Sequence, residues 1–224
     1  MTIADVALDA GADHREAERA LTAAGWTPCG AGDWAFALLS PDRSCVARIS
    51  PFDPTGPYTA ALYREAASTA QVPRLFSHRR LAGGGDLMVM ERLHPADEAD
   101  AVAFLAALAE SRPEVAALAG VVRRVHARAV AELPWCGPLD DNPSNVMRGA
   151  DGRLVLTDPY YADGPALYET AGSDPDLVAA RIPADERRHM TEIPLAGSGP
   201  WSRESRDRMR DALAAADARR AARS

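Results

Sequence analysis

The sequence predicts an α+β fold of two lobes, a small β-rich half with one main helix over residues 1–92 and a reduced, mostly helical half over 93–224. Three observations predict it. Short apolar runs separated by Gly, Pro, Asp and Ser turn residues fill the first half. Helical texture dominates from about residue 95, with apolar residues at Val115, Leu118, Val122, Val125 and Ala129 falling on one face. The only strand pattern in the second half is a short hairpin that ends in Asp158.

The elements follow in chain order. Asp13 and Glu16 have the spacing of a capping box, so a helix is expected over 14–24, stopped by Gly25. Residues 34–39 and 45–50 read as strands, and Ser40-Pro-Asp-Arg43 joins them as a hairpin turn. A Pro/Gly-rich loop, PFDPTGP, covers 51–57, and an Ala-rich helix is expected over 58–70. Strands at 72–76 and 86–91 flank the turn Gly83-Gly84-Gly85. Helices are expected over 96–109 and 113–133. Residues 146–148 and 153–157 form the small hairpin, turning at Asp151-Gly152. Residues 162–200 read as loop-rich, and 202–222 as a helix rich in Arg, Ala and Asp.

Composition excludes several kinds of chemistry. The net charge of −7 speaks against nucleic acid as a partner. No apolar run has the length of a membrane span, and the N-terminus lacks the basic start and apolar core of a signal peptide. Cys29, Cys45 and Cys136 are an odd number without a CxxC pair, so reduced thiols in a cytoplasmic protein are expected. The five histidines show no metal-ligand spacing, and Ser198-Gly-Pro lacks the surroundings of a nucleophilic serine. All 25 basic residues are Arg. A Schiff-base lysine, a Walker A lysine and a Ser-Lys dyad are therefore absent, and any active-site cation must be Arg or His.

The informative stretch is LDDNPSNVMRGADGRLVLTDPYY, residues 139–161. Moving a phosphoryl group needs a carboxylate beside the attacking hydroxyl, oxygen ligands for Mg²⁺ and a cation on the phosphates. Asp140 and Asn145 have the spacing D-x-x-x-x-N, and the hairpin after Asn145 returns Asp158 to its side. Asp140 is the candidate base, and Asn145 and Asp158 are the candidate metal ligands. Asp141 competes with Asp140, and the five-residue offset to Asn145 favours Asp140.

Here the chain resembles the protein-kinase-like phosphotransferases, above all the aminoglycoside and other small-molecule branch. The resemblance covers about residues 28–160. Gly30-Ala-Gly32-Asp-Trp34-Ala resembles the glycine-rich loop, with Ala at the third glycine position. Arg48 falls where the family has its phosphate-binding Lys, Glu65 where it has the acidic partner of that Lys, and the stretch from Met88 through Glu91 to Leu93 where the hinge meets the nucleotide base. The chain departs from the family in having Pro138-Leu139 where a His precedes the catalytic Asp, and Pro-Tyr-Tyr after Asp158.

The resemblance implies a kinase-like enzyme using Mg²⁺ with ATP or GTP as donor and a polar small molecule as acceptor, a sugar- or cyclitol-containing antibiotic among the candidates. From the charge and the lack of an apolar span, no nucleic-acid or membrane partner is expected. A regulatory module that binds nucleotide without catalysis is the alternative, followed by a protein kinase. Asp97, Glu98, Asp100 and Asp163 are candidates for lining a site for a cationic acceptor.

Overall fold

A computed structural model describes residues 8–193 and 202–223. Ser198 and Trp201 lie outside the described residues, as does the start of the N-terminal segment.

The first half is built on a five-stranded antiparallel sheet. Its strands are β1 (Thr27–Ala31), β2 (Phe36–Leu39), β3 (Cys45–Ser50), β4 (Leu75–Leu81) and β5 (Gly85–Glu91), in the spatial order β1-β2-β3-β5-β4. Strand alternation divides the residues of β3 and β5 between two faces. Ala47, Ile49, Leu87 and Val89 pack beneath helix α1 (His14–Ala23), against Ala17, Leu21 and Trp26. On the other face Met88 and Met90 join helix α2 (Gly56–Glu65) and the helices of the second half. Arg48, paired in register with Met88, shares that second face. The period of two therefore aims the one basic residue of β3 away from α1 and toward the second half.

The capping box predicted for α1 is present. Asp13 accepts from the backbone N–H groups of Arg15 and Glu16, and Glu16 accepts in return from Asp13 N–H at 2.9 Å.

The second half contains α3 (Glu98–Glu110), α4 (Ala116–Glu132), α5 (Gly164–Ser173), α6 (Pro175–Arg181) and α7 (Arg203–Ala221). A small sheet joins β6 (His94–Pro95), β7 (Val146–Arg148) and β8 (Leu154–Leu156). Leu118, Val122 and Val125 of α4 pack with Leu62, Tyr63, Val146 and Leu156 in one core that crosses from one half to the other. A second core, around Phe52, Trp135, Leu167, Tyr168 and Met190, lies under the C-terminal segments.

Four expectations are corrected. Residues 27–31 form a strand, so Gly30 sits in β1, and only the turn after it is loop. The helix expected over 58–70 starts at Gly56 and stops at Glu65. The strand read at 72–76 runs from Leu75 to Leu81, its polar residues His78, Arg79 and Arg80 being held by ion pairs and hydrogen bonds. Residues 162–200 are not uniformly loop. Asp163 caps α5 and Asp174 caps α6, each followed by Pro in the first helical turn. Such Asp and Pro residues read as loop punctuation in the sequence, yet they are also the chemistry of a helix start.

Beyond α6 the chain returns to the first half. His189 N–H donates to the carbonyl of Gly83 at 3.2 Å, and Arg80 binds Glu186 at 2.6 Å. Gly84, at φ +88°, lies so close to this segment that a Cβ there would stand 1.8 Å from the carbonyl oxygen of Glu186. A strap over residues 183–193 thus closes on the turn between β4 and β5.

Candidate active site

The cleft between the two halves holds about 520 Å³. Gly30, Gly32, Trp34, Arg48, Glu91, Leu93, Asp140, Asn145 and Asp158 all line it.

Backbone hydrogen bonds gather the three residues of the opening stretch. Thr157 N–H donates to the carbonyl of Asn145 at 2.7 Å, which closes the β7–β8 hairpin and sets Asp158 beside Asn145. Asp140 N–H donates to the carbonyl of Pro159 at 3.0 Å, so the Asp140 loop is pinned to the residue after Asp158. Between the side chains, Asn145 Nδ2 donates to Asp140 Oδ2 at 2.8 Å. That contact uses the amide nitrogen of Asn145 and turns its Oδ1 away from Asp140 as a possible ligand. Asp140 Oδ1 accepts from Asn142 N–H at 2.9 Å, which fixes the carboxylate in one orientation.

Asp158 adopts φ +42°. The left-handed region is unfavourable for a residue with a Cβ, and the following Pro159 restricts it further. Local strain of this kind costs about 1–3 kcal/mol and concentrates at functional sites. The Asp158 N–H donates to Tyr63 Oη at 3.3 Å, a contact from α2 across to the second half.

Arg48 is the electrostatic centre. Its Nη1 donates to Asp53 Oδ2 at 2.9 Å and its Nε to Asp158 Oδ2 at 3.0 Å. Burial opposes its charge, but Asp158 and Asp53 outweigh that and raise its pKa. Burial likewise pushes the Asp158 carboxyl up, with Arg48 pulling it back and Asp53 and Asp86 adding repulsion. Asp53 is itself fixed, its Oδ1 accepting from Thr55 N–H at 3.0 Å and Thr55 Oγ1 at 2.9 Å. Asp53, Asp140 and Asp158 share the cleft with Arg48 as their cation. An excess of carboxylates over cations, all of them hard oxygen donors, suits a divalent cation such as Mg²⁺, and Asn145 Oδ1 and the Asp158 carboxylate could serve as ligands.

The pairing of Arg48 with Glu65 is corrected. Glu65 does not line the cleft; it ends α2 and binds Arg124 at 2.9 Å and Arg128 at 3.4 Å. Those two arginines lie four residues apart on α4 and present one face of that helix to the end of α2. Asp53 takes the position beside Arg48 instead. In sequence Asp53 is one acid of an Asp-Pro-Thr turn, and no periodicity marks it. The acidic set around residue 97 has other uses too. Asp97 and Asp100 pair with Arg148 at 3.5 and 2.6 Å, and Asp163 caps α5.

The glycine-rich segment closes into a turn at the end of β1. Gly32 N–H donates to Ala35 O at 2.8 Å, and a Cβ at Gly30 would meet nothing within 4 Å. Trp34 rests on Phe52, ring centroids 6.3 Å apart, while Ser50 Oγ donates to its carbonyl. At the hinge, the Glu91 side chain is taken by Arg153 and by Arg74 N–H, which leaves backbone for any ligand contact there.

A histidine from α4 approaches the Asp140 loop from behind. His126 Nε2 lies 2.8 Å from the carbonyl oxygen of Gly137, three residues before Asp140, and its ring stacks on Tyr160. Gly137 also admits the Tyr161 ring, which a Cβ would meet at 2.4 Å. Burial and the nearby Asp140 carboxylate raise the pKa of the Tyr161 hydroxyl. Helix α4 thus braces the Asp140 loop from behind.

No family model and no curated protein matches the chain. Among solved structures it is similar to choline kinase LicA from Streptococcus pneumoniae, at 11% identity over 86% of this chain and 85% of that one, with a TM-score of 0.34. It is also similar to a pseudokinase solved in its apo form, at 9% identity over 94% and 88% of the two chains, with a TM-score of 0.32.

Proposed function

We propose that this chain is a phosphotransferase that moves the γ-phosphoryl group of ATP or GTP to a hydroxyl of a polar small molecule. The observation that carries the reading is the joined set Asp140, Asn145 and Asp158, facing Arg48 across one cleft. Asn145 Oδ1 and the Asp158 carboxylate would hold Mg²⁺, which supplies charge neutralisation on the phosphates. Asp140 receives the proton of the acceptor hydroxyl as the new P–O bond forms. The bond from the γ-phosphorus to the nucleoside diphosphate breaks, and the diphosphate leaves. Arg48 faces the phosphates as a planar fork, backed by Asp53. Backbone N–H groups of the turn at residues 33–35, between β1 and β2, would cover them. A sugar- or cyclitol-containing antibiotic is the acceptor class the family resemblance implies.

A screen of polyhydroxylated acceptors with γ-labelled ATP and GTP tests this. Label should move to an acceptor in wild type and not in Asp140→Ala, with nucleotide binding retained in the variant. Transfer of equal rate in Asp140→Ala refutes the assignment.

One observation favours a second reading, a module that binds nucleotide without catalysis. Asp158 Oδ2 is already taken by Arg48. If that ion pair persists with Mg²⁺ and nucleotide bound, the metal loses a ligand, and no acceptor will take label although nucleotide binds.

A further inference from the structure

We propose that His14, His189 and Glu192 form a binding site for a divalent transition metal, zinc being the best match, which clips the C-terminal strap to the first half of the chain. His14 opens α1, and His189 and Glu192 lie in the strap. One ligand atom from each of the three lies within 4.8 Å of the others. Tetrahedral zinc with ligands near 2.0–2.2 Å needs them about 3.4 Å apart, so a small side-chain contraction completes the set. Two imidazoles and a carboxylate are the donor types zinc takes, leaving a fourth place for water.

Unmet hydrogen-bonding capacity points to a ligand there. His14 and His189 are 6% and 5% exposed, and their rings meet edge to face with centroids 4.8 Å apart. Neither ring nitrogen of His189 makes a hydrogen bond, nor does His14 Nδ1, while His14 Nε2 is the nitrogen that approaches Glu192 Oε2, at 3.8 Å. His189 Nδ1 is 3.2 Å from Glu192 Oε2, but the two are not aligned for one. Buried polar atoms without partners are costly and call for an explanation. A metal accepts such a nitrogen lone pair directly.

The surroundings fit. Asp13 Oδ2 stands 3.8 Å from His189 Nε2, outside hydrogen-bond distance but the nearest carboxylate on that side of the ring, while Nδ1 faces Glu192 at 3.2 Å. The Asp13 Oδ1 atom is already used in capping α1. Gly83 makes room, since a Cβ there would stand 2.1 Å from His189 Cδ2. Burial first, and then the neighbouring His189, lower the pKa of His14, which favours the neutral, metal-competent imidazole. Arg15 opposes binding by donating to Glu192 Oε2 at 2.6 Å, but its side chain is 55% exposed and free to swing into solvent. The site shares no residue with the cleft of Asp140 and Asp158 and does not depend on the phosphotransferase reading.

The test starts from chelator-treated protein, titrated with Zn²⁺ by calorimetry and with Co²⁺ by visible absorption. Wild type should bind one equivalent, show the intense bands of four-coordinate Co²⁺, and gain several degrees in Tm at saturating Zn²⁺. Glu192→Gln, which keeps the side-chain shape, and His14→Gln should each weaken Zn²⁺ at least tenfold. Asp158→Asn and Cys29→Ser should leave it unchanged. Absence of binding in wild type overturns the proposal. So does binding of equal strength in Glu192→Gln and His14→Gln, or binding that Asp158→Asn or Cys29→Ser removes.

Discussion

The guanidinium of Arg48 bridges Asp53, three residues past its own strand, and Asp158, at the end of the β7–β8 hairpin, at 2.9 and 3.0 Å. One side chain thereby ties the first half of the chain to the second across the cleft. The bridge uses Nε and Nη1 together, so the fork shape of Arg matters as well as its charge. Its loss in Arg48→Ala leaves Asp53, only 4% exposed in its side chain, facing Asp158 without a cation. Breaking a buried pair from one side costs about 3–5 kcal/mol. Tm should fall by roughly 10 °C in scanning calorimetry. Arg48→Lys can reach one carboxylate at a time and should fall between Ala and wild type. A Tm for Arg48→Ala within one degree of wild type would contradict the bridge.

His126 reaches the Asp140 loop through the Gly137 carbonyl and stacks on Tyr160 beside it. His126→Phe should therefore loosen the position of Asp140 without touching nucleotide. We expect kcat for the preferred acceptor to drop about tenfold or more, because small misplacements of a catalytic group are expensive. KM for nucleotide should stay within twofold. A rise in nucleotide KM with kcat unchanged would place His126 outside the loop's support.

Gly84 and Gly120 make a matched pair. Gly84→Ala puts a Cβ into the Glu186 carbonyl and strains φ +88°, and it should cost at least about 2 kcal/mol. Gly120 lies inside α4 with nothing within 4 Å of its would-be Cβ. Gly120→Ala should raise stability by up to about 1 kcal/mol, the helix preference for Ala over Gly. Denaturant midpoints at unchanged slope read both. Equal, small effects would mean the strap does not press on the β4–β5 turn.

Acidification should loosen the same strap. In the folded chain His14 has its pKa lowered, first by burial and then by His189, with Arg15 adding to this and Asp13 and Glu192 opposing it. The unfolded chain binds this proton more readily, with a pKa near 6.5. The stabilisation is thus complete above about pH 6.5 and is lost as pH falls below it. Urea midpoints in metal-free buffer should decline from about pH 7.5 to 5, and less so in His14→Gln. Identical declines in the two proteins would remove His14 from the account.

What could be read from the sequence was local. The Asp13/Glu16 cap, the 40–43 turn and the D-x-x-x-x-N spacing each involve residues a few positions apart, and each is present. Asp158 was legible because a short apolar strand ending in a carboxylate is unusual. Asp53 was not, because its partnership with Arg48 depends on how the 51–55 turn folds back under β3. Glu65 misled for the opposite reason. A one-dimensional alignment of strand, then acidic helix, ignores the register of α2, which ends at Glu65 and turns it toward α4. Helices α5 and α6 were hidden by prolines that start helices as well as break them. The His14–His189–Glu192 cluster joins His14 to a pair 175 and 178 residues further along the chain, beyond the reach of any spacing rule.

The central claim is that Asp158 and Asn145 hold Mg²⁺ for a nucleotide in this cleft. A thermal shift with Mg-ATP and Mg-GTP, on wild type and Asp158→Asn, tests it most directly. Ligand at about a hundred times its Kd adds roughly 2.7 kcal/mol, a rise of several degrees for a chain of this size. The account predicts a Mg²⁺-dependent rise in wild type with at least one nucleotide, and a clearly smaller one in Asp158→Asn. No rise in wild type with either nucleotide, or an equal rise in both proteins, would contradict it.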